Sequence, residues 1–514
     1  MLDLGTSFLA SVARDPRALA LVDGKVRLSY ADLHRRVCAV VAGLDNLGLR
    51  PGDHLVTMLQ NAWQGATLHW ACQLAGVIVT PLNWRASAEE LDYCLADSEA
   101  AALVYQDVSA AAVAAAPLAA ARRRIAVSGG SGDDPRFGDL ASGTAADVAP
   151  RAGAEAWSLM LYTSGTTSRP KGVPRRHRAE RAAAIAHVAQ NLYARGERTL
   201  GVMPLYHTMG VRSLLAMSLI GGCFVCLPRF EAARALTLIA AEGVTNLYLV
   251  PTLYHDLLAD PGFAAADVSR VRKLGFAGAP MTEALLRRLQ AAFRPSLFVN
   301  HYGSSEVYTV SINDDAVAKP GSAGRAGLNQ MIRVVPLGAA DASVQLAPGE
   351  EGEIVALLAG DEAFEGYWQR PDADARALRD GWYFTGDTGY VDADGDLFVT
   401  ARVDDMIITG GENVSPVEIE SCLSLHPGVG EVAVVGLPDE RWGQVVTAFV
   451  TPADAVDAAA LDRHCREAGL AAFKRPRRYV FVHEIPKSPV GKLLRRKLVA
   501  GDYRPYAATK DPTP

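Results

Sequence analysis

The chain has 514 residues, 49% of them hydrophobic, and 51 lysines and arginines against 57 aspartates and glutamates leave a formal charge of −6. That length exceeds what one hydrophobic core serves, so two or more domains are expected. The near-balanced charge removes the electrostatic case for nucleic acid or an anionic membrane as partner. Seven scattered cysteines give no disulfide framework. Cys223 and Cys226 have CxxC spacing, but they lie in the apolar run GGCFVCLP with no second pair or nearby histidines, which predicts a buried strand. The opening MLDLGTSFLASVARDP lacks a secretory pattern, and Leu214 to Leu227, the longest apolar stretch, is broken by Gly221 and Gly222 and is too short for a bilayer. A cytoplasmic protein without a membrane partner is expected.

Along the chain, Tyr30–Leu47 has helical spacing, His54–Leu59 reads as a strand, Ala62–Ala75 is helical again, and VIVTPLN is a second strand. This is the rhythm of a parallel α/β sheet. Residues 108–153, alanine-rich and then SGGSGDD, predict a surface excursion. Leu159, Met160 and Leu161 then lead into YTSGTTSRPKG (Tyr162–Gly172). Glycines that turn N–H groups inward, with serine and threonine hydroxyls and the charge of Lys171, suit a polyphosphate. The pattern is not the GxxxxGK[ST] loop of common NTPases.

The alternation resumes to about Asn300. LFVNHYGSSEV (Leu297–Val307) follows as a strand entering a polar turn: Tyr302 offers a flat face for a base, Ser304 and Ser305 offer phosphate donors, and Glu306 offers an oxygen ligand for Mg2+. From Gly324 to Thr400 short strands and turns predict a β-rich part. Asp387 and Arg402 sit near its end, and a carboxylate facing a ribose diol is a common recognition device. Beyond Arg402 comes a smaller α/β unit with strands VAVVGL, VTAFVT and RYVFV, a helix from Ala458 to Ala468, and Lys492 in IPKSPVGKLLRRKL.

Together, the phosphate-loop candidate, the GSSE turn, the Asp387–Arg402 stretch and the Lys492 segment resemble the adenylate-forming superfamily of acyl-CoA synthetases, adenylation domains and firefly-type luciferases. The resemblance runs from about Phe8 to Leu498. MPLYHTMG, RVDDMIITGGEN, ERWGQVVTAFV and FKRPRRYVF are most similar to aryl-CoA ligases, the halobenzoate-CoA ligases in particular. The resemblance implies an α/β fold in which a large N-terminal domain (1–403) holds two α/β sheet subdomains plus a β-rich subdomain. A small mobile C-terminal α/β domain (404–514) would follow. It also implies two half-reactions: a carboxylate attacks the α-phosphate of ATP to give acyl-AMP and pyrophosphate, then the smaller domain rotates and the CoA thiol displaces AMP.

The resemblance also assigns roles. Thr163, Ser164, Gly165, Thr166, Thr167 and Lys171 would cradle the β- and γ-phosphates, and Glu306 would help hold Mg2+. Lys492 would bridge the carboxylate and the α-phosphate. Gly278, Ala279 and Pro280, with His301 and Tyr302, would line the adenine slot, next to Gly303, Ser304 and Ser305. Asp387 and Arg402 would take the ribose, and Asp404 would be the hinge. For CoA, Gly410 and Gly411 would permit close approach, Trp442 would stack on its adenine, and Arg85, Lys474, Arg475, Arg477 and Arg478 would meet its phosphates. Ser168 stands where the family's phosphate loop usually has glycine, at a strain cost of about 1 kcal/mol if that position needs a positive φ.

His207, Thr208, Met209, Tyr248, His301, Gly303, Tyr308 and Thr309 would form the acyl pocket, with His207 as a gating or stacking ring. Large rings with polar tips suggest a short, blunt cavity for benzoate, a hydroxy- or halobenzoate, a furoate-like or an alicyclic acid. Arg212 is expected to face outward or cap local structure, with pairing of a dicarboxylic acid as the alternative. A small aliphatic acid, or loading of a carrier protein, are the rival activities. A homodimer is possible.

Overall fold

The computed structural model describes residues 1–128, 134–143, 146–163, 169–410, 412–487 and 493–506, organised around three sheets. The first sheet has the order Arg123–Ala126, Ala102–Tyr105, His54–Met58, Ile78–Pro81, Trp157–Thr163 and Lys171–Arg176. Five strands run parallel and the last returns antiparallel. Leu55, Val56, Leu103, Val104, Leu159 and Leu161 are all buried, as expected for a parallel sheet covered on both faces. The covering helix Tyr30–Asn46 starts at a capping box between Ser29 and Asp32 and ends one residue before the expected Leu47.

The alanine-rich stretch after residue 108 is not a surface excursion. Asp107–Ala115 and Pro117–Ala120 are helices, Arg123–Ala126 is the sheet's edge strand, and Val113, Ala116, Ala119 and Ile125 are buried. Small side chains let these short helices lie close to the sheet, so a composition that resembles a linker carries core.

The second sheet has fourteen strands. Its parallel half contains Leu19–Asp23, Cys223–Cys226, Arg198–Gly201, Asn246–Leu249, Lys273–Phe276 and Leu297–Tyr302. Cys223 and Cys226 lie buried in their strand, as the sequence predicts. The sheet then continues antiparallel through Ser311–Asn313, Ser322–Ala326, Leu397–Arg402, Trp382–Val391, Gly352–Leu357 and Ile332–Val335. The β-rich part is thus continuous with the second α/β sheet. The join needs Gly324: at φ +74°, a Cβ there would lie 2.0 Å from the Ile312 carbonyl oxygen.

The third sheet contains Ile407–Thr409, Glu412–Val414, Val429–Asp439, Gly443–Pro452 and Arg478–Phe481. Helices Pro416–Ser424 and Ala458–Glu467 cover it, burying Ile419, Leu423 and Leu461 against Val434, Val446 and Val450. A large N-terminal and a small C-terminal domain result. Among the described residues no helix is long and apolar enough to cross a membrane.

Candidate active site

Parallel strands place ligands beyond their carboxyl ends, and most of the expected site residues of the larger domain are found there. Arg85 follows Ile78–Pro81, and the phosphate-loop candidate follows Trp157–Thr163. His207 to Met209 follow Arg198–Gly201, Gly278 to Pro280 follow Lys273–Phe276, and Gly303 to Glu306 follow Leu297–Tyr302. Ser164, Gly165, Thr166, Thr167, Ser168, Gly411 and Lys492 lie outside the described residues.

Thr163 and Lys171 are cross-strand partners at the mouth of the hairpin. Lys171 Nζ lies 4.0 Å from the centre of the Tyr367 ring. Burial draws its pKa down, while the charge of Glu306 opposes that shift. Glu306 is buried, and its Oε1 accepts a 2.7 Å hydrogen bond from the Tyr367 hydroxyl. Its carbonyl accepts from Arg175 Nη1 at 3.1 Å and from the Phe364 N–H at 2.8 Å. A buried hard-oxygen carboxylate beside an ammonium and a phenol suits an Mg2+–triphosphate.

Asp387 and Arg402 face each other across adjacent strands, Oδ1 to Nη1 at 2.9 Å. The Tyr302 hydroxyl donates to Asp387 Oδ2 at 2.6 Å. Burial first, and then Asp387, push the Tyr302 phenol well above its usual pKa, so it stays a donor. Tyr302, Asp387 and Arg402 therefore form one cluster, as a nucleoside site needs. In the adjoining turn the Ser304 N–H donates to the Val307 carbonyl at 2.8 Å, and Ser304 Oγ accepts from the Val307 N–H at 3.3 Å. Only glycine closes this turn, because a Cβ on Gly303 would lie 2.2 Å from the Tyr308 carbonyl oxygen. Ser305 occupies the same turn, and Gly278 takes φ +83° ahead of Ala279 and Pro280.

Arg212 does not face outward. It is 2% exposed on the helix Thr208–Leu219, which is buried from Thr208 to Ser218. Its Nη1 donates to Thr309 Oγ1 at 2.7 Å and to the Tyr308 carbonyl at 3.1 Å, and its Nη2 donates to the Tyr248 hydroxyl. It thereby joins three expected acyl-pocket residues from beneath. Its charge is balanced within a buried group of four. Arg175 Nε donates to Glu180 Oε1 at 2.8 Å, and Glu362, 1% exposed, feels both arginines while burial raises its pKa. The Tyr308 ring is held 4.1 Å from the Arg175 guanidinium.

His301 is packed against Tyr248 with ring centres 5.1 Å apart, and Met209 is 1% exposed. His207 caps the helix, its Nδ1 accepting from the Met209 N–H at 3.3 Å. Arg175, Glu180, His187, Asn191 and Glu362 belong to the same interior and gave no sequence signal.

In the smaller domain Gly410, Trp442 and Arg477 come together. The Gly410 N–H donates to the Trp442 carbonyl at 2.9 Å, and the Arg477 guanidinium stacks 4.1 Å from the indole. The rest of the basic run is paired: Lys474 with Glu418 at 2.7 Å, Arg475 with Asp462 at 3.6 Å, and Arg478 with Asp439 at 3.6 Å. Arg85 stacks on Trp84 at 3.6 Å. Asp404 lies in the short turn Val403–Asp405 between the two domains' sheets.

Residues 8–368 match the AMP-binding enzyme family, and residues 418–492 match the AMP-binding enzyme C-terminal domain. The chain belongs to the AMP-binding enzyme family. It is 36% identical over 498 residues to a feruloyl-CoA synthase of an Amycolatopsis species, covering 96% of this chain and 97% of that one. It is 34% identical over 509 residues to a 4-chlorobenzoate–CoA ligase of an Arthrobacter species, covering 98% and 96%. ATP-bound MatB from Rhodopseudomonas palustris superposes with a TM-score of 0.88 at 28% identity, covering 98% of this chain and 99% of that one. The protein is an AMP-forming acid–thiol ligase that uses ATP, Mg2+ and CoA. The two relatives named above act, by name, on aromatic acids.

Proposed function

We propose that the ligase activates a small aromatic, heteroaromatic or alicyclic acid, benzoate- or furoate-like, as its acyl-AMP and then passes the acyl group to CoA. The observation that carries this reading is the closed floor of the acyl region. Tyr248, His301 and Tyr308 are each 2% exposed and Thr309 is fully buried, and Arg212 ties the tyrosines and the threonine together from below. A long alkyl chain would have to displace the hydrogen bonds of an already buried guanidinium, and no methylene replaces them. Arg212 already donates to three protein groups and is balanced by Glu362 and Glu180, which disfavours a dicarboxylate. The aromatic acids named for the two relatives support the same class.

In this reading Glu306 holds Mg2+, whose charge offsets that of the triphosphate. Thr163 to Thr167 and Lys171 hold the β- and γ-phosphates. Tyr302 packs on adenine, and Asp387 and Arg402 exchange part of their mutual contact for the ribose hydroxyls. Lys492 neutralises the α-phosphate and carboxylate oxygens. These groups stabilise charge that develops at phosphorus, and no covalent nucleophile is required. The domain 404–514 then turns about Asp404 and presents Gly410, Trp442 and Arg477 to CoA.

The test is pyrophosphate release with ATP and Mg2+ across benzoate, 2-furoate, cyclohexanecarboxylate, dodecanoate and malonate, with and without CoA. The highest kcat/KM should belong to one of the ring acids. A higher value for dodecanoate or malonate refutes the assignment.

A further inference from the structure

Two imidazoles beside Arg212 are only half bonded. His187 on the helix His177–Gln190 and His301 on the strand Leu297–Tyr302 have ring centres 5.2 Å apart. Tyr248 lies 4.7 Å from the first and 5.1 Å from the second. The Asn191 side chain joins the two rings, with Oδ1 3.2 Å from His301 Nε2 and Nδ2 3.0 Å from His187 Nδ1. The amide's orientation is fixed, because Nδ2 also donates to the His187 carbonyl at 2.8 Å.

These contacts set both tautomers. An amide oxygen only accepts, so His301 carries its proton on Nε2; an amide nitrogen only donates, so His187 Nδ1 is a lone pair. Burial, followed by the charge of Arg212, holds both pKa values well below 6.5, so each ring is neutral with one N–H and one lone pair. What remains is a donor at His187 Nε2 and an acceptor at His301 Nδ1. Both atoms are shielded from solvent and neither has a partner. In an imidazole the second nitrogen lies across the ring from the first, so both face away from Asn191. Buried polar atoms are rarely left unpaired, and two of opposite sense on adjacent rings match a single group that both accepts and donates.

We propose that this donor–acceptor pair is a hydroxyl-reading subsite at the blind end of the acyl pocket, so that the preferred acid is a hydroxylated aromatic carboxylic acid. The inference rests on the reading above that His301 and Tyr248 line that pocket. One hydroxyl oxygen accepts from His187 Nε2 and donates its proton to His301 Nδ1, satisfying both. A second carboxylate or a halogen only accepts, an ammonium only donates, and a methyl does neither, so each leaves a buried group unpaired. Arg212 Nε, also without a partner, adds a further donor and no acceptor.

The experiment compares 2-, 3- and 4-hydroxybenzoate with the matching methylbenzoates, reading kcat/KM for CoA-dependent pyrophosphate release. One hydroxy isomer should exceed its methyl counterpart by about tenfold to a hundredfold, as a site that bonds a hydroxyl rejects the analogue without it. His187→Phe and His301→Leu should bring that ratio close to one. His187→Gln and His301→Asn, which return an amide N–H and an amide oxygen to the same places, should recover part of it. A purely structural role for the rings would not make the ratio follow donor and acceptor chemistry. Should His187→Phe fail to fold, as judged by its thermal melt, the wild-type ratio and the Gln variant decide. Turnover of benzoates with a ratio near one for all three isomers refutes this inference alone and means that the pair holds water or only packs. No turnover of any aromatic acid refutes the aryl-acid reading as well.

Discussion

Replacing Arg175 with methionine removes a buried cation whose partners are all known. The guanidinium is fully buried and donates to Glu180 Oε1 at 2.8 Å and to the Glu306 carbonyl at 3.1 Å. Methionine keeps much of the volume but leaves Glu180 as an unpaired carboxylate whose side chain is 0% exposed. Breaking one side of such a pair costs about 3–5 kcal/mol. With an unfolding entropy of ~2.1 cal/mol/K per residue over roughly 400 residues, that lowers the midpoint of the larger domain by about 5 °C. The double variant Arg175→Met, Glu180→Leu removes both charges and should regain most of the loss, because buried ion pairs and apolar replacements are often close in energy. The Glu306 carbonyl keeps its bond from Phe364, so the turn should persist while its carboxylate shifts. The Mg2+ concentration for half-maximal pyrophosphate release should rise in the single variant. Differential scanning calorimetry of the wild type, the single variants Arg175→Met and Glu180→Leu, and the double variant measures the coupling. Additive losses, or a single-variant shift below about 1 °C, would show that the four buried charges do not act as one unit.

Acid should destabilise the protein through its buried histidines. Burial lowers His54 and His177 to about 4 and His69 to about 3. Their unfolded forms protonate below about 6.5 while the folded rings stay neutral, so stability present at pH 7 is lost as pH falls from 6.5 towards 4. The loss is about 2 kcal/mol per ring at pH 5. A midpoint that rises on going from pH 7 to pH 5 contradicts this, although Glu362 and Glu420, raised by burial, oppose part of the loss. Trp442→Ala should raise the KM for CoA about tenfold and slow thioester formation more than CoA-independent pyrophosphate release, since stacking on a base contributes about 1–3 kcal/mol. Equal slowing of both steps would remove Trp442 from CoA binding. Lys492→Ala should abolish adenylation yet still form thioester from supplied acyl-AMP, and loss of both steps in a folded variant contradicts its assignment to the first.

The contacts among the residues expected on the nucleotide side are legible because short, contiguous runs carry them. Gly303 to Glu306 follow the strand that ends at Tyr302, and Asp387 and Arg402 are register partners on adjacent strands of one hairpin, so nearness along the chain nearly gives their contact. Gly410, Trp442 and Arg477 all stand out in the sequence and meet in the fold, but only the fold shows that Lys474, Arg475 and Arg478 are paired with carboxylates. Arg212 is buried where the sequence predicts an outward-facing or capping side chain. A lone arginine in HTMGVRSLLAM looks exposed because its partners are far along the chain, at Tyr248, Tyr308, Thr309 and Glu362. His187 and Asn191 were invisible for the same reason: their meaning lies in a third residue, His301, more than a hundred positions away. The alanine-rich residues 108–126 differ for another reason, since alanine content says little about burial when helices lie this close to a sheet.

The most direct test of the whole account is a product balance on the wild-type enzyme with its best ring acid, ATP, Mg2+ and CoA. Quantified by liquid chromatography and mass spectrometry, AMP, pyrophosphate and the aryl-CoA thioester should appear in equal amounts, with acyl-AMP accumulating only when CoA is left out. Acyl-AMP that accumulates in the presence of CoA while the CoA thiol remains unconsumed would contradict it.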